Sequence, residues 1–138
     1  MSTGLMESLA VESLPKAFTG TVVRGVGRGR TLGIPTANLD VPSQAELPYG
    51  VYAARISGDV LNYQMGVANI GTRPTFSERE LSIELHILDF SGDIYGIELQ
   101  VELIAFLRDE REFDTIEDLK QQIFNDIKQA RKRLLSEK

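Results

Sequence analysis

The 138-residue chain predicts a mainly β fold, an all-β sandwich or barrel followed by one C-terminal helix, and three observations support that class. From Phe18 to about Phe106, short β-branched and aromatic runs are separated by Gly, Pro, Asn and Asp, the punctuation of an all-β chain. Between Leu81 and Ile87 apolar and polar residues alternate with the period of two that a strand imposes. After Phe113 the apolar spacing lengthens to steps of three and four, the stripe of an amphipathic helix. The length suits one domain with one core and is too short for two ordinary ones.

Residues 1–15 carry Glu7 and Glu12, lack a basic start followed by an apolar run, and read as a flexible lead-in rather than a signal peptide. The domain is expected over 16–138, with strands near 18–24, 50–57, 61–70, 81–89 and 97–107. Ser57-Gly58-Asp59 and Ser91-Gly92-Asp93 tolerate left-handed φ and mark tight connections, while Leu47-Pro48-Tyr49-Gly50 stops one element and starts the next. In the fourth strand Leu81, Ile83, Leu85 and Ile87 share one face and Ser82, Glu84 and His86 the other, a face that ordinarily meets solvent. The helical stripe is Ile116, Leu119, Ile123, Ile127, Ala130 and Leu134. Asp114 and Glu117 have capping-box spacing, and Lys128, Arg131, Lys132 and Arg133 put positive charge at the end the helix dipole favours.

Composition narrows the function. Fifteen basic residues against 20 acidic ones give a formal charge of −5, which on average repels nucleic acid and acidic lipid. Arg24, Arg28 and Arg30 form a local positive patch of nucleotide size. No stretch approaches the roughly 18 apolar residues of a membrane span. Absence of cysteine excludes disulfides, thiolate zinc sites and cysteine nucleophiles, and permits a reducing cytoplasm. His86 is the only histidine, so a Ser/His/Asp triad or a multi-histidine metal centre has little to build from.

Three features carry candidate chemistry. Gly25, Gly27 and Gly29 let backbone N–H groups approach phosphate oxygens beside Arg28 and Arg30; the spacing is neither a P-loop nor a dinucleotide fingerprint, and a glycine hairpin with solvated arginines is the plain alternative. Pro35 favours extended geometry before it, so Thr36 and Asn38 aim side-chain oxygens in one direction if the segment stays extended. Two neutral oxygens suffice for Mg2+ when ATP phosphates supply the anions; an Asn/Thr-rich turn is the alternative. A hydroxyl attacking a γ-phosphorus needs a base, and Glu84 is the candidate. Glu98 and Glu102 have no polar neighbours suggestive of a site, and Glu78 and Glu80 are expected in a loop.

Five segments together resemble the riboflavin kinase family: 25–38 with Gly33-Ile34-Pro35-Thr36-Ala37-Asn38, Asn69 to Phe76, Ile83 to Phe90, Asp93-Ile94-Tyr95-Gly96, and Phe106 to Phe113. The likeness covers about residues 18 to 135, in order and at matching intervals. It implies a six-stranded antiparallel Greek-key β-barrel with a C-terminal helix, the missing strand coming from 32–41. The implied reaction moves the γ-phosphate of Mg-ATP to the ribityl 5′-hydroxyl of riboflavin, giving FMN and ADP. In that resemblance Glu84 is the general base, Thr36 and Asn38 hold Mg2+, and Thr36 also touches phosphate. Gly25, Gly27 and Arg30 line the phosphates, with Tyr95 near the nucleotide. Arg108, Arg111 and Phe113 belong to a mobile flap over the flavin. The compact Arg28-Gly29-Arg30 departs from the lysine or extra residue that family members often carry there, which weakens the assignment of Arg30. Bacterial relatives often join such a domain to an upstream FAD synthetase domain; this chain lacks the His-x-x-His and His-x-Gly-His signatures of nucleotidyl transfer, so it is expected to stop at FMN, in the cytoplasm. Two rivals stand beside this reading: a non-catalytic flavin carrier, and a nucleic-acid-binding barrel with Tyr52, Phe76 or Tyr95 stacking bases.

Overall fold

Side chains alternate across every strand, so each has one apolar face to hide, and the sheet hides all of them by closing on itself. The computed structural model describes residues 14–24, 36–41, 47–74, 76–77 and 79–136. Its elements are β1 (Lys16–Val23), β2 (Ala37–Asp40), β3 (Gly50–Gly58), β4 (Leu61–Pro74), β5 (Arg79–Ile87), β6 (Glu98–Arg108) and α1 (Ile116–Leu135). The strands form a closed barrel in the order β1, β2, β5, β4, β3, β6, and every neighbouring pair is antiparallel. Strands β3, β4 and β5 are a meander, with β2 returning beside β5 and β6 beside β3, which is Greek-key connectivity. The sixth strand is β2, inside the 32–41 segment. At four residues it is too short to show a period of its own, and it is held by ladders on both sides to β1 and β5.

Inside the barrel, Tyr52, Ala54 and Ile56 of β3, Ala68 and Ile70 of β4, Ile83 and Leu85 of β5, and Leu99, Val101 and Leu103 of β6 form the main core. A second core lies outside the wall, where Val51, Ala53, Val67 and Ala105 meet Ala130 and Leu134 of α1. The helix therefore covers part of the outer face of β3, β4 and β6. Two irregularities in β6 make this possible. Ala53 opposes Ala105 while Ala54 opposes Leu103, and Val51 opposes Arg108 while Tyr52 opposes Phe106, leaving Ile104 and Leu107 as extra residues. Each bulge resets which face the following side chain takes. Phe106 thus turns inward, edge-on to Tyr52 with ring centroids 5.5 Å apart, while Arg108 emerges on the outer face.

Three local expectations change. Thr115, not Asp114, caps α1: its backbone is extended and its Oγ1 accepts the Asp118 amide at 3.0 Å, satisfying a donor the first turn leaves open. Glu80 lies in β5 rather than a loop and pairs with Arg73 at 2.9 Å. Strand β5 stops at Ile87, before Asp89 turns to φ 56° and takes both guanidinium ends of Arg131, at 2.7 and 2.9 Å. That pair ties the β5–β6 connection to the helix. No helix among the described residues is long and apolar enough to cross a membrane.

Candidate active site

A single rung of the barrel assembles the site. Asn38 of β2 opposes Glu84 of β5, Glu84 opposes Asn69 of β4, Asn69 opposes Val51 of β3, and Val51 opposes Arg108 of β6. Residues directly opposite in a ladder share a face. Ala37, Leu39, Ile83, Leu85 and Ile70, the sequence neighbours along that rung, fill the interior, so the rung itself points outward. One step along, Thr36 Oγ1 lies 3.3 Å from Nδ1 of His86, which is only 8% exposed.

The outward face of β5, where solvent was the ordinary expectation, is instead roofed over. The strand β6 leads into 109–113, which crosses above it, and the first half of α1 closes the far side, enclosing a cavity of about 480 Å³. Thr36, Asn69, Glu84 and His86 line its wall, and Arg108, Arg111, Phe113 and Asp126 line its roof. That volume is in the range of small-molecule sites.

The roof is fastened by charge. Arg108 Nε and Nη2 each donate to Asp126 at 2.8 Å, a two-point fork with both side chains largely withdrawn from solvent. Gln122, one helical turn earlier, donates to Asp126 Oδ1 at 3.0 Å and accepts from Arg111 Nη1 at 3.3 Å. The Arg108 and Arg111 guanidinium carbons stand 5.9 and 5.0 Å from the Phe113 ring centroid. The Glu110 carboxyl lies over Gly71, in the space a Cβ there would take. Beneath the Arg108 end, the Tyr52 hydroxyl donates to the Pro48 carbonyl at 3.0 Å. Burial, and then the Asp109 carboxylate, push its pKa up to about 12.

Glu84, Thr36, Arg108, Arg111 and Phe113 thus meet in one cavity, and Asn38 shares the Glu84 rung. Tyr95 does not line the cavity. It sits on the β5–β6 connection, half exposed, with the Arg24 guanidinium 4.2 Å over its ring. The Tyr95 amide donates to Asp93 Oδ1 at 3.0 Å, and the amide of Gly96, at φ 83°, donates to the Val22 carbonyl at 2.8 Å. This places Tyr95 beside the end of β1, the strand that leads into the glycine and arginine segment. Gly25, Gly27 and Arg30 themselves lie outside the described residues. Base stacking by Tyr52 is ruled out, because that ring is fully buried inside the barrel.

Among the described residues no cluster of three or more His, Cys, Asp or Glu side chains is arranged to hold a metal. The donors at hand are the Thr36 hydroxyl and the Asn38 amide oxygen, on the same outward face as Glu84. Hard, neutral oxygens of this kind fit a cation that takes its remaining ligands from phosphate and water. Sequence reasoning missed Asn69, Asp126 and Gln122. For Asp126 a signal existed: it stands three residues after Ile123 and four before Ala130, a carboxylate on the buried stripe.

Comparison with known proteins agrees with this geometry. The Flavokinase family model, for riboflavin kinase, matches residues 13–134. The bifunctional riboflavin kinase/FMN adenylyltransferase of Escherichia coli strain K12 is 40% identical over 139 residues, covering 94% of this chain and 44% of that protein. The crystal structure of a macrolide-efflux protein from Streptococcus pneumoniae superposes with a TM-score of 0.80 at 30% identity, over 94% of this chain and 46% of that one. Riboflavin kinase from Trypanosoma brucei shares the fold, with a TM-score of 0.63 at 20% identity over 88% of this chain and 80% of that one. The chain spans about half the length of the curated relatives it matches. Matched along nearly all of its length, with the Thr36, Asn38 and Glu84 segments brought to one wall of one barrel, this chain belongs to the riboflavin kinase family.

Proposed function

We propose that this chain transfers the γ-phosphate of Mg-ATP to the ribityl 5′-hydroxyl of riboflavin, giving FMN and ADP. The observation that carries the reading is the position of Glu84: a carboxylate on the barrel's outer face, enclosed in a cavity with Thr36 and one ladder step from Asn38. Glu84 takes the proton from the 5′-hydroxyl as that oxygen attacks phosphorus, and the strand ladders on both sides hold it in place. Thr36 and Asn38 would hold Mg2+, which when bound neutralises charge on the phosphate oxygens during transfer. Gly25, Gly27 and Arg30 would receive the phosphates, with Tyr95 beside the nucleotide. Arg108, Arg111 and Phe113 offer donors and a ring face to the isoalloxazine system. Residues 110–113 line the outer side of the cavity, where they would limit the water that competes with the alcohol for the phosphoryl group.

ATP as co-substrate and the lack of cysteine both suit a cytoplasmic setting. Because several relatives are named as bifunctional with FMN adenylyltransferase, we assign such an upstream domain to the parent protein as well. The test is incubation with riboflavin and Mg-ATP followed by chromatography for FMN. Glu84→Gln is expected to bind both substrates near normally while turning over roughly 10²–10⁴ times more slowly. Unaltered turnover would remove Glu84 from the mechanism, and flavin binding without any FMN would make the chain a carrier.

A further inference from the structure

Phosphoryl transfer by Glu84, Thr36 and Asn38 leaves His86 without a role, yet its surroundings are not those of a surface residue. It is 8% exposed and pairs across the ladder with Val67, which is 1% exposed and belongs to the core beneath α1. On the β2 side, His86 Nδ1 lies 3.3 Å from Thr36 Oγ1. Thr36 stands one residue before β2, beyond the ladder pair of Ala37 with Leu85. Both side chains line the cavity together with Glu84, two residues back along β5. The imidazole thus sits with a buried strand on one flank and a candidate metal donor on the other.

We propose that His86 is a positioning residue for Thr36: with its ring proton on Nε2, it accepts the Thr36 hydroxyl proton at Nδ1 and so turns the oxygen lone pairs toward the cation. The inference rests on the phosphotransferase reading and deepens it. A threonine hydroxyl has one proton and two lone pairs. An oxygen that lends a lone pair to a cation must point its proton elsewhere, and Nδ1 lies within reach to accept it. The opposite tautomer would donate Nδ1–H to Oγ1, occupy a lone pair, and swing the hydroxyl proton toward the incoming charge. The consequence extends to the phosphates. A proton given to Nδ1 cannot also go to a phosphate oxygen, so Thr36 serves the metal as a ligand and not the nucleotide as a donor. His86 acts through Thr36 without touching the reacting atoms, and Glu84 keeps the role of base.

Because His86 is the only histidine in the chain, its ring nitrogens can be observed without ambiguity. A long-range proton–nitrogen correlation spectrum of the isotope-labelled wild-type protein, recorded at about pH 8 where an ordinary histidine is neutral, identifies which nitrogen carries the proton. Nε2 is the expected site; a proton on Nδ1, alone or together with Nε2, overturns the inference. The spectrum needs no variant, so a folding defect in His86→Leu cannot decide the matter. Turnover titrated with Mg2+ at fixed ATP supplies the second arm. His86→Leu should raise the Mg2+ concentration for half-maximal turnover by about tenfold or more, the ordinary cost of losing a group that orients a metal ligand. His86→Asn, whose side-chain oxygen can stand where Nδ1 does, should recover most of that loss. In Thr36→Val, which has no hydroxyl to orient, His86→Leu should add nothing further. Mere packing damage would make the Leu and Asn variants respond alike, or add the same loss to Thr36→Val as to the wild type, and either result overturns the inference. Absence of FMN formation by the wild type would instead sink the phosphotransferase reading, and this inference with it.

Discussion

Asp126→Ala should be among the most damaging single changes in the chain, and its cost follows from what the carboxylate leaves behind. Its side chain is 6% exposed and that of Arg108 17%, so the fork at 2.8 Å lies in a medium where neither partner is well hydrated. Breaking a buried pair by removing one member costs about 3–5 kcal/mol, because the survivor is an uncompensated charge. Here the survivor is arginine, which cannot shed its proton, and the Gln122 amide loses its acceptor too. The reverse change, Arg108→Ala, should cost less, because the stranded carboxylate keeps the hydrogen bond from Gln122 at 3.0 Å. For a chain of 138 residues, unfolding entropy near 2.1 cal/mol/K per residue turns 3–5 kcal/mol into a Tm drop of roughly 10–17 °C. Thermal unfolding followed by circular dichroism measures this. Replacing both partners with apolar residues, Arg108→Met with Asp126→Leu, should recover much of the loss. A loss below about 1 kcal/mol for Asp126→Ala would refute the reasoning, since that is what a solvated surface pair shows. The exposed Asp89 and Arg131 pair supplies the control, and Asp89→Asn should leave Tm essentially unchanged.

Further outcomes follow from the same structure. The Tyr52 hydroxyl is held neutral, its pKa raised from 10.0 to about 12, so its contribution is whole below pH 10 and is lost as pH rises from 10 to about 12. Tyr52→Phe should lose about 1 kcal/mol at neutral pH with the Pro48 hydrogen bond and also lose that alkaline leg, seen in urea midpoints between pH 9 and 12; parallel curves would count against it. Gly71→Ala puts a Cβ onto the flexible Glu110 carboxyl and not onto backbone, so Tm should hold while proteolysis within 109–113 quickens. Equal cleavage rates would mean that Glu110 does not fasten the roof. Asn38→Ala should raise the Mg2+ concentration needed for half-maximal turnover, and an unchanged metal titration would exclude it as a ligand.

Periodicity in the sequence was sufficient for most of the fold. Expected strands at 50–57, 81–89 and 97–107 correspond to Gly50–Gly58, Arg79–Ile87 and Glu98–Arg108, and the apolar stripe after Phe113 became Ile116–Leu135. These elements are long enough for alternation or a helical stripe to register. Strand β2 was not legible from its own letters, because four residues show no period and its existence depends on β1 and β5 lying on either side. Only the resemblance pointed to it.

The candidate site divides in the same way. The letters themselves singled out Thr36, Asn38 and Glu84, since the chemistry of a metal pair and a base is carried by residue type. What they left open was whether the Ser82, Glu84 and His86 face met water, and that depends on elements distant in the chain. Two bulges in β6 turn Arg108 outward, and a helix more than 30 residues beyond Glu84 supplies Asp126 to hold it there. Local sequence determines which side of a strand a residue occupies, because alternation is a property of the backbone. Whether that side is roofed, and which charges meet across the space beneath, is decided only when barrel closure brings β2, β5 and β4 into one rung and α1 folds back across the wall.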